Sequence, residues 1–209
     1  MRQKRSLSAQ ELLNMRFKVM DFDGEFLKLF GKPEMSGCWI IWGESVNGKT
    51  SLMLQLCKYL TRFGRVVVDS IEEGYSQSLK IACIDHGMTE CGSRFQVLHK
   101  ESLEDLEIRL GKRKGPDIII IDSIQYTDLT KKTAKEFIDR WPKKLFIFVS
   151  HAKGKLPEGH TANKVRYHSN VKIRVEGYRA KIESRYGGDK SLYYTIWYEG
   201  AKEYWGDIL

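Results

Sequence analysis

Eight consecutive residues, Gly43-Glu44-Ser45-Val46-Asn47-Gly48-Lys49-Thr50, with Ser51 directly behind them, carry the most specific chemistry in the chain. Two glycines let the backbone curl until successive N–H groups point inward. Inward N–H groups and the Lys49 ammonium together bind phosphate oxygens, and the Thr50 hydroxyl is suited to ligate Mg²⁺. The spacing fits the phosphate-loop pattern G-x-x-x-x-G-K-[ST] at every fixed position. A nucleoside triphosphate is the ligand this pattern predicts.

Carboxylates supply the complementary chemistry. Asp122 closes a run of four isoleucines, residues 118–121, the hydrophobic-strand-then-acid form of a Walker B element. There it would hold Mg²⁺, directly or through water, beside Thr50; an acid at a strand end can also cap the next helix. Glu72 and Glu73 follow the β-branched stretch 65–70. Hydrolysis needs a base or water-orienting group on the open side of the γ-phosphate, and either glutamate could serve. Cys83, His86, Cys91 and His99 form a loose series that matches no familiar zinc spacing. With Cys38 and Cys57 they sit in or beside apolar stretches and no C-x-x-C pair occurs, so the cysteines read as reduced thiols of a cytoplasmic protein.

These groups must be held by ordered elements. Cys38-Trp39-Ile40-Ile41-Trp42 predicts a buried strand into the loop, and 50–60 a helix out of it, packed through Leu52, Leu56, Tyr59 and Leu60. The helix N-terminus then adds its positive potential to the phosphate site. Further strands are expected at 65–70, 95–98, 117–123 and 145–150, and helices at 76–86, 102–110 and 131–141. Apolar strands alternating with helices imply a parallel sheet covered on both faces. The polar, basic stretch 152–169 contains Gly154, Pro157 and Gly159 and predicts a long mobile loop. Segments 171–176, 179–185 and 192–198 alternate apolar and polar residues, with Gly187-Gly188 as a turn. They predict antiparallel strands that extend the sheet.

At 209 residues and 42% hydrophobic content the chain can bury one α/β core. A helical lead-in over residues 1–35, opened by a capping box at Ser8-Ala9-Gln10-Glu11, and a catalytic domain over 36–209 are the expected organisation. No stretch approaches the roughly 20 apolar residues of a membrane span. The basic start Met1-Arg2-Gln3-Lys4-Arg5 is followed by no apolar signal core. The formal net charge of +8 favours a polyanionic partner.

The order strand, phosphate loop, helix, strand, Glu72, with Walker B later, resembles the RecA/DnaB/RadA/KaiC superfamily of P-loop ATPases, over most of the chain from about Trp39 to Tyr198. The resemblance implies a RecA-like parallel-core sheet, ATP and Mg²⁺ as ligands, and hydrolysis. Ser70-Ile71-Glu72 is similar to the family's S-x-E ending, which favours Glu72 over Glu73 as the catalytic carboxylate. Ser150-His151 ends the strand where the family places a polar sensor, commonly Gln; His151 departs from that choice. Lys181-Ile182-Glu183-Ser184-Arg185-Tyr186-Gly187 is similar to the K-N-R-x-G segment whose cations reach the nucleotide of a neighbouring subunit. Arg185 matches the arginine, while Glu183 replaces the lysine and Lys181 stands two residues away on the same strand face.

The resemblance further implies that the loop after the sensor strand faces single-stranded DNA, making Lys153, Lys155, Lys164 and Arg166 candidate phosphate contacts. A homo-oligomeric DNA-acting ATPase of recombination, repair or replication is the expected role. The compact core is similar to stand-alone ATPases of phages and mobile elements. A KaiC-like regulatory ATPase with a protein partner, or a helicase or recombinase loader, are the rival expectations.

Overall fold

The computed structural model describes residues 5–206; most of the basic N-terminal stretch, residues 1–4, lies outside them. Two short helices, α1 (Ala9–Leu13) and α2 (Gly24–Phe30), precede the first strand. Ser8 and Glu11 form the expected capping box on α1. Next come β1 (Gly37–Gly43), α3 (Lys49–Leu60), β2 (Val66–Ser70), α4 (Gln77–Asp85), β3 (Phe95–His99) and α5 (Leu103–Gly111). β4 (Ile118–Asp122), α6 (Lys131–Arg140), β5 (Leu145–Lys153), β6 (Leu156–Pro157) and α7 (His160–His168) follow. β7 (Val171–Glu176), β8 (Arg179–Ser184), β9 (Tyr193–Thr195) and α8 (Tyr198–Trp205) complete the described elements.

The sheet runs in the order β3-β2-β4-β5-β1-β7-β8-β9, with β6 paired to β5. It is parallel from β3 through β7 and antiparallel beyond. Alternation of side chains across each parallel strand feeds two separate cores. Trp39 and Ile41, Ile118 and Ile120, and Leu145 and Ile147 pack with Leu52, Met53, Leu56 and Leu60 of α3. Ile40 and Trp42, Ile119 and Ile121, and Phe146 and Phe148 pack with Leu106 and Leu110 of α5 and Ala134 and Phe137 of α6. Residues before β1 share the first core: Met20, Phe22, Leu29, Phe30 and Met35 are buried there. Among the described residues, no helix is long and apolar enough to cross a membrane.

Two expectations need correction. The stretch 152–169 is not a loop. β5 continues to Lys153, turns back through β6, and gives way to α7, which buries Ala162 and Val165 in the second core. An i, i+3 apolar pair anchors a helix; Asn163 Nδ2 donates to the Pro157 and Gly159 carbonyls at 2.7 and 2.9 Å, and the Arg166 guanidinium lies 5.5 Å from the Trp42 ring centre. At the C-terminal end, the 192–198 strand shortens to β9, and the aromatic-rich residues after it form α8.

Candidate nucleotide and hydrolysis site

The loop after β1 is built for close backbone approach. A Cβ on Gly43 would stand 2.4 Å from the Val175 carbonyl oxygen of β7, so only glycine fits between these strands. Gly48, at φ +95°, turns the chain into α3 and caps it without any side-chain hydrogen bond. The first-turn N–H donors of α3 therefore have no side-chain acceptor from the cap, as an anion site requires. Asn47 braces the loop: its Nδ2 donates to the Ser45 carbonyl at 3.0 Å, while its Oδ1 accepts from Gly177 N at 2.7 Å. Lys49 Nζ bends back over the loop to the Glu44 carbonyl at 2.8 Å. Burial lowers the Lys49 pKa, and the charges of Asp122, Glu72 and Glu44 partly restore it.

The strand order brings the acids to the same end of the sheet. β4 is separated from β1 by β5, and β2 lies one place farther out. The Asp122 carbonyl accepts from Ile71 N at 2.7 Å and from Glu72 N at 3.1 Å, tying the end of β2 to the end of β4. Glu72 Oε2 accepts from Ser123 Oγ at 3.1 Å and lies 3.1 Å from His151 Nε2 at the end of β5. Glu73 turns elsewhere: its Oε2 accepts from Ser76 Oγ at 2.8 Å and Ser78 Oγ at 2.7 Å, at the start of α4. Burial, with repulsion from Glu72, pushes the Asp122 carboxyl up to about 6 against the pull of Lys49. Two carboxylates facing one lysine leave negative charge that a divalent cation relieves, so the donor set fits Mg²⁺.

One site residue escaped the sequence reading. Gln125, in a single 3-10 turn after β4, donates through Nε2 to Ser150 Oγ at 2.7 Å and to the Glu158 carbonyl at 3.0 Å. Its Oε1 accepts from His151 N at 3.4 Å. It links the Walker B end, the sensor strand and the β5–β6 hairpin. A lone glutamine in no motif carries no sequence signal for this.

The remaining candidates are not gathered here. Lys153 and Lys155 are exposed around the β5–β6 turn, at the phosphate-loop end of the sheet. Lys164 instead lines a cavity with Gly37, Cys38 and His168, where β1 begins. Arg166 is half-buried on Trp42. Arg185 is exposed just past β8, whose Ser184 pairs with Val171, whereas Gly43 pairs with Val175 four residues along. Arg185 is thus at the far end of the strands from its own phosphate loop.

No protein-family model matches the sequence, and no curated protein matches it. Solved structures do match in shape. The flagellar accessory protein FlaH from Methanocaldococcus jannaschii superposes with a TM-score of 0.61 at 20% identity, over 85% of this chain and 93% of that one. The ATPase domain of a DnaB-like helicase superposes with a TM-score of 0.53 at 12% identity, over 74% of this chain and 79% of that one. The chain has a RecA-like P-loop ATPase fold.

Proposed function

We propose that this protein is a Mg²⁺-dependent ATPase in which Glu72 is the hydrolytic carboxylate. The observation that carries the reading is the placement of Glu72, held by Ser123 and His151 at the strand end next to Asp122, across β5 from the phosphate loop. Lys49 and the backbone N–H groups of residues 43–51 bind the phosphates. Thr50 and Asp122 hold Mg²⁺, which supplies positive charge that offsets the charge on the phosphates. Glu72 orients a water molecule and accepts its proton, while His151 fixes which way the carboxylate points. ATP turnover measured with and without single-stranded DNA, at several protein concentrations, tests the reading; Lys49→Ala should abolish it.

The finer reading is a homo-oligomer acting on single-stranded DNA in the cytoplasm, in recombination, repair or replication. The +8 net charge and the exposed Lys153 and Lys155 beside the active end support it. Arg185, remote from its own loop, is assigned to a neighbouring subunit's nucleotide. One observation favours the rival, a regulatory ATPase with a protein partner: Lys164 and Arg166 sit on a docked helix and not on a free basic loop. DNA-stimulated turnover supports the first reading; turnover indifferent to DNA supports the second.

A further inference from the structure

The phosphate loop has two flanks. On one side of β1 stand β5, β4 and β2 with Glu72, Asp122 and His151. A triphosphate seated with its terminal phosphate toward these groups sends its nucleoside the other way, over β7 and β8. This direction rests on the phosphate-loop reading above.

What stands on that other side is aromatic and fastened to the loop. The β7–β8 turn presents Tyr178, whose N–H donates to the Asn47 carbonyl at 3.2 Å. A Cβ on Gly48 would be 3.2 Å from the Tyr178 ring and 3.4 Å from Ile196, so both touch the loop glycine. Tyr178 holds a positive φ of 58°, an unfavourable conformation for a bulky residue that persists only where its surroundings enforce it. Here Ile196 N donates to the Tyr178 carbonyl at 2.8 Å, and Gln55 of α3 donates to the Ile196 carbonyl at 3.1 Å. The next residue is Trp197. Its ring meets Tyr178 edge-on, with centres 5.0 Å apart and planes at 87°. Behind it Gly200 of α8 packs so closely that a Cβ there would be 2.3 Å from the indole. Despite this bracing, Trp197 is 49% exposed. A large ring held rigidly with half its surface in water is poorly explained as core.

Tyr204 is the other aromatic near the loop, and it does not compete. It shares a cavity of about 30 Å³ with Glu44 and Arg174, too small for a base. The exposed indole has no such limit.

We infer that Trp197, held by Tyr178, Gly200 and the Ile196 backbone, is the platform on which the base of the bound nucleoside triphosphate stacks. Stacking on an indole face is available to every base, so it confers affinity with little choice between purines.

Equilibrium binding of Mg·ATP and of Mg·tripolyphosphate, which has the phosphates without the nucleoside, separates base from phosphate recognition. Trp197→Ala should weaken ATP binding by roughly ten-fold or more and leave tripolyphosphate within two-fold. Trp197→Phe should recover most of the ATP affinity, and ATP should quench less tryptophan fluorescence in that variant than in the parent. Undiminished ATP binding by Trp197→Ala, or an equal loss for both ligands, would overturn the platform. If the alanine variant does not fold, an unchanged ATP quench in Trp197→Phe overturns it equally. Lys49→Ala should lose both ligands; full-strength binding of both would sink the phosphate-loop reading and the platform with it.

Discussion

The two halves of the sheet on either side of β1 differ in how they are covered. From β3 to β5 the strands are sandwiched, so that Ile118 to Ile121 are all buried although they point alternately up and down. From β7 to β9 only one face is covered: Val171, Ile173, Val175, Ala180 and Ile182 point inward, while Lys172, Arg174, Lys181 and Glu183 alternate outward. A two-sided core holds strand ends rigidly, and the acids occupy those ends. A one-sided sheet leaves a polar face in solvent, where cations and aromatic rings can meet other molecules. Fixed chemistry and adaptable recognition are thus divided across the phosphate loop.

The largest effect that would sharpen this division concerns Arg185. On the oligomer reading, Arg185→Ala should reduce turnover by about 10³-fold or more with little change in ATP affinity, and mixing with Lys49→Ala should restore part of the activity. Full activity in Arg185→Ala, independent of protein concentration, would leave the antiparallel half without a catalytic part.

Packing gives the next contrast. Ile120→Ala in β4 should cost about 2–5 kcal/mol, measured by denaturant unfolding, whereas Lys181→Ala on the open face of β8 should stay within about 0.5 kcal/mol. Similar costs at both positions would erase the distinction between the halves.

The sandwiched half also predicts a pH dependence. Asp69 in β2 is fully buried; its Oδ1 accepts from Glu101 N at 3.2 Å and its Oδ2 has no hydrogen-bond partner. Burial pushes its carboxyl up to about 6. A carboxyl raised in the folded state binds its proton more tightly there than in the unfolded chain. Stability should therefore fall as pH rises from about 4 through about 6, then level off. Asp122 shifts in the same sense. Asp69→Asn should remove part of the fall, about 2 kcal/mol at neutral pH, read from melting temperatures between pH 5 and 8. An unchanged profile in Asp69→Asn would mean that the site is wetter than its burial implies.

A smaller effect is expected at the hinge between the sensor strand and the basic hairpin. Gln125→Ala should lower turnover by about ten-fold while ATP binding persists, because His151 loses a brace and Glu72 is aimed less well. Unaltered turnover would confine Gln125 to holding the hairpin.

How legible this was depends on the range of the interactions. The phosphate loop, the four isoleucines before Asp122 and the β5 strand are local patterns, and the structure has them where the sequence placed them. Helix α7 was not legible because two apolar residues, Ala162 and Val165, anchor an otherwise polar segment, and its other supports come from Trp42 and Leu129 far away in sequence. Gln125 and Trp197 are invisible for the same reason: each matters through what the topology brings beside it. Glu72 and Glu73 are indistinguishable by position alone, and their different hydrogen-bond partners separate them.

The catalytic assignment stands or falls on that separation. Single-turnover ATP hydrolysis and Mg·ATP binding should be measured for Glu72→Gln and Glu73→Gln side by side. Glu72→Gln is expected to bind Mg·ATP normally and to lose at least about 10²-fold in hydrolysis, while Glu73→Gln stays close to the parent. Normal hydrolysis by Glu72→Gln, with the loss falling on Glu73→Gln, would contradict the assignment.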